Sequence, residues 1–245
     1  MSKIDKLIQE LCPKGVEFKQ IGDLGSLYGG LSGKSKNDFK DGNARFITYM
    51  NVFSNIEVDT DRDDFVKIGA SERQRRLQKG DVLFTVSSEK PDECGMSSVL
   101  VKEPDKPLYL NSFCFILRLN DDEIFLPEFL KYLFRDTGIR KQIAKTASGV
   151  TRFNVSKKRF AKIIVPIPPI DVQREIANIL DKFTQLEARR KQYEYYRNQL
   201  LTFDDEGGYD GQPYRKWRCL KMEAIGRNWS QETFQCTEQV ELWLL

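Results

Sequence analysis

The turn at residues 146–154, with the sequence TASGVTRFN, carries side chains suited to binding a polar ligand. Hydroxyl groups, a flexible glycine, an arginine and an amide are the types that hydrogen-bond phosphates and base edges. The turn lies in a basic stretch, because residues 131–162 contain ten Lys or Arg and one acid, Asp136. The local charge balance is therefore +9, in a chain whose net charge is +3.

This stretch favours nucleic acid as the ligand, because neutralising phosphates releases counterions and gives affinity independent of base sequence. A solvated helix face would show the same excess of charge. The embedded polar turn raises the nucleic-acid interpretation above that alternative. The candidate contacts in this stretch are Lys145, Thr146, Ser148, Gly149, Thr151, Arg152, Asn154, Lys157 and Lys158.

A second polar loop, YGGLSGKSK at residues 28–36, is similar to a phosphate-binding P-loop but has the wrong spacing. The pattern G-x-x-x-x-G-K-[ST] requires glycine where this chain has Tyr28, and the residues that follow do not open an apolar helix. We therefore interpret the loop as a flexible, basic segment that contacts DNA through Ser32, Lys34 and Lys36.

Residues for catalysis are missing from the sequence. The chain has no histidine, so the commonest general base and the usual Ser-His-Asp and Cys-His systems are excluded. Its five cysteines are scattered without a C-x-x-C pair, which argues against a disulfide framework or a zinc site. No nuclease or methyltransferase motif appears. We expect a non-catalytic chain without a metal or a cofactor of its own.

The elements that must position these loops are short strands with few helices. A capping box at Ser2 and Asp5 predicts a helix that ends near Cys12, and a second helix is predicted over residues 127–147. Strands are predicted over residues 16–21, 45–52, 81–86, 97–101, 112–119 and 161–167. This order favours an α+β domain with a twisted mixed or mostly antiparallel sheet.

A long amphipathic helix follows the last strand. Pro166, Pro168 and Pro169 form a stiff joint, Asp171 is a natural N-cap, and a helix over residues 171–202 would be about 48 Å long. The spacing of its apolar stripe favours a coiled coil with a partner helix, although packing against its own domain is an alternative. Arg190 interrupts the stripe, whose predicted members are Val172, Ile176, Ile179, Phe183, Leu186, Arg190, Tyr193, Tyr196 and Leu200.

Together these motifs give a family resemblance. The most specific is the proline pair with Gln173 and Ile176 that opens the long helix. The succession resembles one half of the specificity (S) subunit of a type I restriction-modification enzyme, over about residues 16–203. The other matching segments are FKQIGDLG at 18–25, KGDVLF at 79–84, LN at 110–111, PEFLKYLF at 127–134, GVTRFN at 149–154 and VPIPPIDVQREI at 165–176.

The resemblance implies a DNA-recognition function without catalysis. Such subunits carry two target recognition domains, each reading one half of a bipartite site, and paired helices set the distance between the halves. They bind modification (methyltransferase) subunits, and through these the restriction subunits. S-adenosylmethionine, ATP and Mg are then expected on the partner subunits. Applied here, residues 1–167 would be the recognition domain and residues 168–203 the spacer and dimerisation helix.

The sequence departs from this pattern after Phe203. A linker is followed by a run at residues 216–226 that weakly repeats the segment at 18–25, so we interpret residues 204–245 as a degenerate or truncated second recognition domain. The alternative is a tail that orders on binding through its three tryptophans. A half-length chain would restore a bipartite target by forming a homodimer, or by pairing with a full-length S subunit, through its long helix.

Two other classes of function remain as alternatives. In the first alternative, the chain is the recognition domain of a single-chain restriction-modification enzyme. In the second, it is a coiled-coil interaction protein or an inactive remnant. No run of the roughly 18 to 20 apolar residues that span a bilayer occurs, and the first residues lack the apolar core of a signal peptide. We therefore expect a cytoplasmic protein with no membrane partner.

Overall fold

The computed structural model describes residues 2–201 of the chain. The chain divides into two units, residues 1–183 and residues 184–245, so the division falls within the last helix. The predicted second recognition domain at 204–245 lies outside the described residues. No helix within residues 2–201 combines the length and the apolar character needed to cross a membrane.

Seven α-helices and twelve strands form the described part of the chain. The helices are α1 (Lys3–Leu11), α2 (Ile21–Leu24), α3 (Tyr49–Ser54), α4 (Pro127–Leu133), α5 (Thr137–Thr146), α6 (Lys157–Phe160) and α7 (Ile170–Leu200). The strands are β1 (Glu17–Gln20), β2 (Gly25–Gly29), β3 (Ala44–Ile47), β4 (Phe65–Val66), β5 (Val82–Thr85), β6 (Ser87–Ser88), β7 (Ser97–Val99), β8 (Leu108–Leu110), β9 (Cys114–Leu119), β10 (Ala147–Ser148), β11 (Phe153–Val155) and β12 (Ile164–Ile167).

These strands form four small sheets in place of one large sheet. The central sheet is antiparallel, in the order β2-β9-β5-β7. A second sheet has the order β4-β3-β8, in which β3 and β8 are parallel. The others are β10-β11-β6 and the two-stranded ribbon β1-β12. The predicted α+β class with mostly antiparallel pairing is confirmed.

The central sheet is buried on both faces. Phe84 of β5 and Phe115 of β9 stack with ring centroids 5.2 Å apart, and Phe160 packs edge-on against both. The alternate residues Leu83 and Ile116 belong to a separate apolar cluster on the opposite face. Because both faces are covered, the sheet is a rigid base for the loops at its ends.

Two predicted elements were wrong in their extent. Residues 45–52 do not form one strand, because Thr48 accepts a hydrogen bond from the Asn51 amide and starts α3 directly after β3. The predicted helix over 127–147 is two helices. Asp136, whose carboxylate accepts from the amides of Gly138 and Ile139, caps α5 and separates it from α4. The capping box predicted at the start of α1 is confirmed.

Gln173 fastens the beginning of α7 to the first unit. Its side chain is completely buried. The amide nitrogen donates to the carbonyls of Ile124 and Pro168 at 2.9 and 2.8 Å, and the amide oxygen accepts from the Leu126 backbone at 2.9 Å. A buried amide with three hydrogen bonds is held in one orientation, and thus Gln173 sets the direction in which α7 leaves the β12 strand.

Part of the predicted apolar stripe on α7 is used within the first unit. Val172 is buried, and Ile176 packs against the main apolar core. Asp181 accepts from the Tyr132 hydroxyl at 2.5 Å and pairs with the Lys131 ammonium at 2.7 Å. The first three turns of α7 therefore contact their own domain, which is the alternative that the sequence left open. Further along the stripe, the side chains of Phe183, Leu186, Tyr193 and Leu200 are exposed.

Candidate nucleic-acid interface

The polar turn at 146–154 folds as a β-hairpin. Strands β10 and β11 pair with Ala147 opposite Val155, and β11 also pairs with β6. Gly149 lies at the bend with φ of 150°, and a Cβ there would lie 2.0 Å from the Arg152 carbonyl oxygen. Only glycine fits this position. The sequence predicted a flexible glycine here, and the structure requires a glycine because any side chain would clash with the backbone of Arg152. We call residues 147–158 the basic hairpin. The name includes Lys157 and Lys158 at the start of α6, because this helix follows β11 directly.

The basic hairpin presents several of the predicted side chains to solvent. Arg152 is exposed, and its Nε donates to the Ser87 hydroxyl at 3.1 Å. Asn154 is exposed and donates to the Arg152 carbonyl at 3.4 Å. Both therefore have a defined position and free hydrogen-bonding capacity. The other predicted residues that are exposed in or beside the hairpin are Lys145, Ser148, Gly149, Thr151, Lys157 and Lys158.

Thr146 differs from the other predicted contacts because it is buried. Its hydroxyl donates to the Ile143 carbonyl at 2.7 Å, at the end of α5. This hydrogen bond completes the last turn of the helix and holds the start of β10 in place. Thr146 thus positions the basic hairpin from the inside, and its side chain does not reach the surface.

Lys157 connects the basic hairpin to the central sheet. Its ammonium lies 5.5 Å from the centre of the Phe115 ring, and burial lowers its pKa. Phe115 is opposite Gly29 in the β2–β9 pair, and a Cβ at Gly29 would lie 4.0 Å from the same ammonium. The hairpin and the loop after β2 are therefore neighbours on one side of the first unit.

Three of the ten cations in residues 131–162 face the protein interior. Lys131 pairs with Glu57 and Asp181. Arg135 donates to backbone carbonyls of residues 52, 53, 55 and 97, and burial lowers its pKa to about 10. Arg140 donates to the carbonyls of residues 92, 94 and 95. The exposed excess of positive charge is therefore smaller than the balance of +9 counted along the sequence.

The loop at 28–36 is anchored, contrary to its predicted flexibility. The Lys34 ammonium pairs with the Glu72 carboxylate at 2.5 Å and donates to the Lys67 carbonyl at 2.6 Å. Ser32 and Gln74 exchange two hydrogen bonds, of 3.2 and 2.8 Å. The charge of Lys34 is therefore compensated inside the protein, while Lys36 begins an exposed 3-10 turn.

A basic groove beside this loop was missed by the sequence analysis. Its volume is about 490 Å³, and no acidic residue lines it. The signal was present in the run RQRRLQK at residues 73–79, which has four cations in seven residues. We call it the arginine groove, and its lining residues are Gly29, Gly30, Ser32, Arg73, Gln74, Arg75, Arg76, Gln78 and Arg118.

Arg118 is the one arginine of this lining whose charge is balanced by an acid. Its guanidinium donates to both carboxylate oxygens of buried Asp81, at 2.8 and 2.6 Å. This bidentate pair raises the pKa of Arg118 and fixes its side chain in the lining of the groove. No group of three or more His, Cys, Asp or Glu that could hold a metal ion occurs in the part of the chain that the structure describes.

The described residues combine an α+β fold, exposed cations and a long helix after a proline joint. Residues 13–193 match the family model described as "Type I restriction modification DNA specificity domain". This match covers well over half of the chain. The chain therefore belongs to the type I restriction-modification specificity family.

Individual relatives agree with this assignment. The specificity subunit of the Escherichia coli type I enzyme EcoR124I/EcoR124II is 26% identical over 211 residues, which cover 77% of this chain and 48% of that subunit. The MjaX specificity subunit of Methanocaldococcus jannaschii, named as putative, is 30% identical over 181 residues, covering 71% and 40%. The chain thus spans about half the length of the curated relatives that it matches.

Solved structures support the fold. The HsdS subunit from Thermoanaerobacter tengcongensis superposes with a TM-score of 0.51 at 20% identity, covering 78% of this chain and 44% of that one. A chain from a structure of a type I restriction-modification system gives a TM-score of 0.52, also at 20% identity, covering 79% and 46%. At this identity the likeness shows a shared fold.

Proposed function

We propose that this chain recognises one half of a bipartite DNA site for a type I restriction-modification complex. The observation that carries the proposal is the basic hairpin, in which Arg152 and Asn154 are exposed and held in place beside exposed Lys158. A two-stranded β-ribbon fits the major groove of B-DNA. Arginine and asparagine side chains are suited to guanine and adenine edges, whereas lysines hold phosphates.

The chemical steps belong to other subunits in this proposal. Adenine methylation and DNA cleavage would be carried out by the modification subunit and by the restriction subunit bound through it. S-adenosylmethionine, ATP and Mg would be bound there. The role of this chain is to place the modification subunit at the correct sequence, and its location would be the cytoplasm, where the DNA substrate of such a complex lies.

We further propose that α7 pairs with α7 of a second copy. The exposed apolar side chains of Phe183, Leu186, Tyr193 and Leu200 occur at helical spacing along it. A bipartite site needs two recognition domains, and residues 13–193 match one specificity domain. A second copy would supply the other domain, and the two half-sites read would then be identical.

DNA binding tests the recognition proposal. We expect the Arg152→Ala/Lys158→Ala double variant to bind a random-sequence duplex about tenfold more weakly than the unaltered chain at low salt. Loss of the phosphate-facing cation Lys158 would also reduce the magnitude of the slope of log K against log salt by about 0.9. Lys14→Ala, which removes an exposed cation outside the hairpin, is the matched control. Equal affinities of the double variant and the control would rule out the hairpin as contact surface.

The cellular function is tested by co-purification with the modification subunit, followed by mapping of methylated adenines in the host genome. We expect a bipartite methylated motif that appears with this chain and disappears in the Arg152→Ala/Lys158→Ala strain. An unchanged set of methylated sites would contradict the proposal.

Light scattering tests the pairing of α7. We expect a dimer at micromolar concentration, and a monomer for Leu186→Lys, because a charge on the apolar stripe opposes burial. A wild-type chain that stays monomeric both alone and on DNA would overturn the pairing and leave half-site recognition standing.

A further inference from the structure

The arginine groove holds three guanidinium groups whose charges are not balanced by an acid within the described residues. Within residues 2–201, the side chains of Arg73, Arg75 and Arg76 have no hydrogen bond or ion pair. Clustered like charges repel one another, and such a cluster on a concave surface is favourable for binding an anionic or electron-rich ligand. The arginines of the groove therefore differ from Lys131, Arg135 and Arg140, whose side chains already have partners within the protein.

Arg75 has a more defined position than its two neighbours. Its guanidinium carbon lies 3.6 Å from the centre of the Tyr28 ring. Tyr28 belongs to β2, pairs with Ile116 of β9 and packs against the second apolar cluster, so the ring is a fixed platform. Stacking on an aromatic face leaves the N–H groups at the edge of the guanidinium available for hydrogen bonds.

The walls of the groove are held in place by the same contacts that anchor the loop at 28–36. Gln74 hydrogen-bonds both backbone groups of Ser32, and Glu72 pairs with Lys34. Because Glu72 is occupied by Lys34, it does not neutralise the arginines beside it. A pre-formed groove loses little conformational entropy when a ligand binds.

One residue of the groove lining lies next to the basic hairpin. Gly29 and Gly30 line it, and the Lys157 ammonium stands close to Gly29. A duplex that contacts the hairpin therefore has a neighbouring set of cations at this edge of the central sheet. A planar guanidinium with a free edge is the geometry that pairs bidentately with the O6 and N7 atoms of guanine.

We propose that the arginine groove is a second DNA-contact surface, in which Arg75, held by Tyr28, reads a guanine edge while Arg73 and Arg76 hold phosphates. This inference rests on the proposed DNA-recognition function and adds to it a specificity-determining residue. Tyr28 acts as a positioning residue, because it touches Arg75 and not the DNA base.

The test selects bound duplexes from a library with a randomised window, using the full chain and its variants. We expect the unaltered chain to select a motif that contains a guanine. Arg75→Ala would reduce the enrichment of that guanine at least fivefold, the lower limit for losing one bidentate base contact. Arg73→Ala, a matched change in the same groove, would lower affinity for all duplexes and leave the selected motif unchanged.

Tyr28 variants separate positioning from a general loss of stability. Tyr28→Leu removes the ring, and we expect the guanine preference to fall. Tyr28→Phe keeps the ring, and we expect the preference to be retained, since no hydrogen bond of the Tyr28 hydroxyl is found within residues 2–201.

The outcomes distinguish this inference from the proposed function. A wild-type motif that persists in Arg75→Ala overturns the inference and leaves DNA recognition intact. Equal effects of Arg75→Ala and Arg73→Ala on the motif also overturn it, because the stacked position would then have no special role. A full chain that binds the library without any sequence preference overturns both.

Discussion

Arginines and lysines occur in two regions of this protein with opposite surroundings. In α4, α5 and the turn between them, Arg135 and Arg140 donate to backbone carbonyls, and Lys131 pairs with two acids. In the arginine groove, three arginines face solvent without an acid in the lining. Local charge density in a sequence therefore does not locate a binding surface. The groups surrounding each cation decide whether its charge is already compensated.

Arg135→Met gives the largest expected effect in this comparison. The change leaves several carbonyl groups around residues 52–55 and 97 without their donor, and we expect the free energy of unfolding to fall by about 3 kcal/mol. Urea denaturation measures it. Lys141→Met, an exposed change in α5, is the control and would shift stability by less than about 0.5 kcal/mol. Similar stabilities for both variants would remove the distinction between inward and outward cations.

Lys131→Met gives the intermediate effect. We expect the free energy of unfolding to fall by about 1 to 2 kcal/mol, since the change breaks the pair with Asp181 that joins α4 to the first turns of α7. A double-mutant cycle with Asp181→Asn measures the coupling between the two side chains. Burial opposes the charge of Lys131, but the hydrogen bond that its ammonium donates to Asp181, together with the charges of Asp181 and Glu57, outweighs burial and raises the pKa of Lys131. The pair therefore stabilises fully below about pH 10.5 and loses its contribution as the pH rises through the folded value. A coupling of zero would contradict this account.

The smallest expected effect on stability comes from the ion pair between Lys34 and Glu72, which holds the loop beside the arginine groove. The hydrogen bond from Lys34, with those from the Gly69 amide and Gln74, lowers the pKa of Glu72 to about 2. Because the pKa of Glu72 is depressed in the folded state, ionised Glu72 contributes fully to stability above its ordinary pKa of 4.5. This contribution is lost as the pH falls toward 2. Carbon-detected NMR titration would show this value, and Lys34→Met would move it toward 4.5. An unchanged pKa in that variant would show that Lys34 does not hold the wall.

Much of the fold could be read from local patterns. The α1 capping box, the strands β1, β5, β7, β9 and β12, and the proline joint before α7 all follow from signals within a few residues. The short strands β4, β6 and β10 could not be read in this way. Two residues carry no periodicity, and each of these strands is defined by its pairing partner, which lies far along the chain for β4 and β6 and across the hairpin bend for β10.

The candidate site was only partly readable for the same reason. Glycine, hydroxyl and amide residues marked the basic hairpin, because turn chemistry is local. The arginine groove joins the loop after β2 with residues 73–78, more than forty positions away along the chain, through the Ser32–Gln74 hydrogen bonds. Nothing in either segment by itself indicates that the other forms the opposite wall.

The family of the chain, its α+β class, the lack of histidine and the long helix after a proline joint all follow from the order of residues. The packing of the chain shows which cations are compensated, that Thr146 and Val172 are interior, and that Gln173 holds the beginning of α7. The physical reason is that residue type and spacing are local properties, whereas burial and hydrogen-bond partners depend on which distant segments pack together.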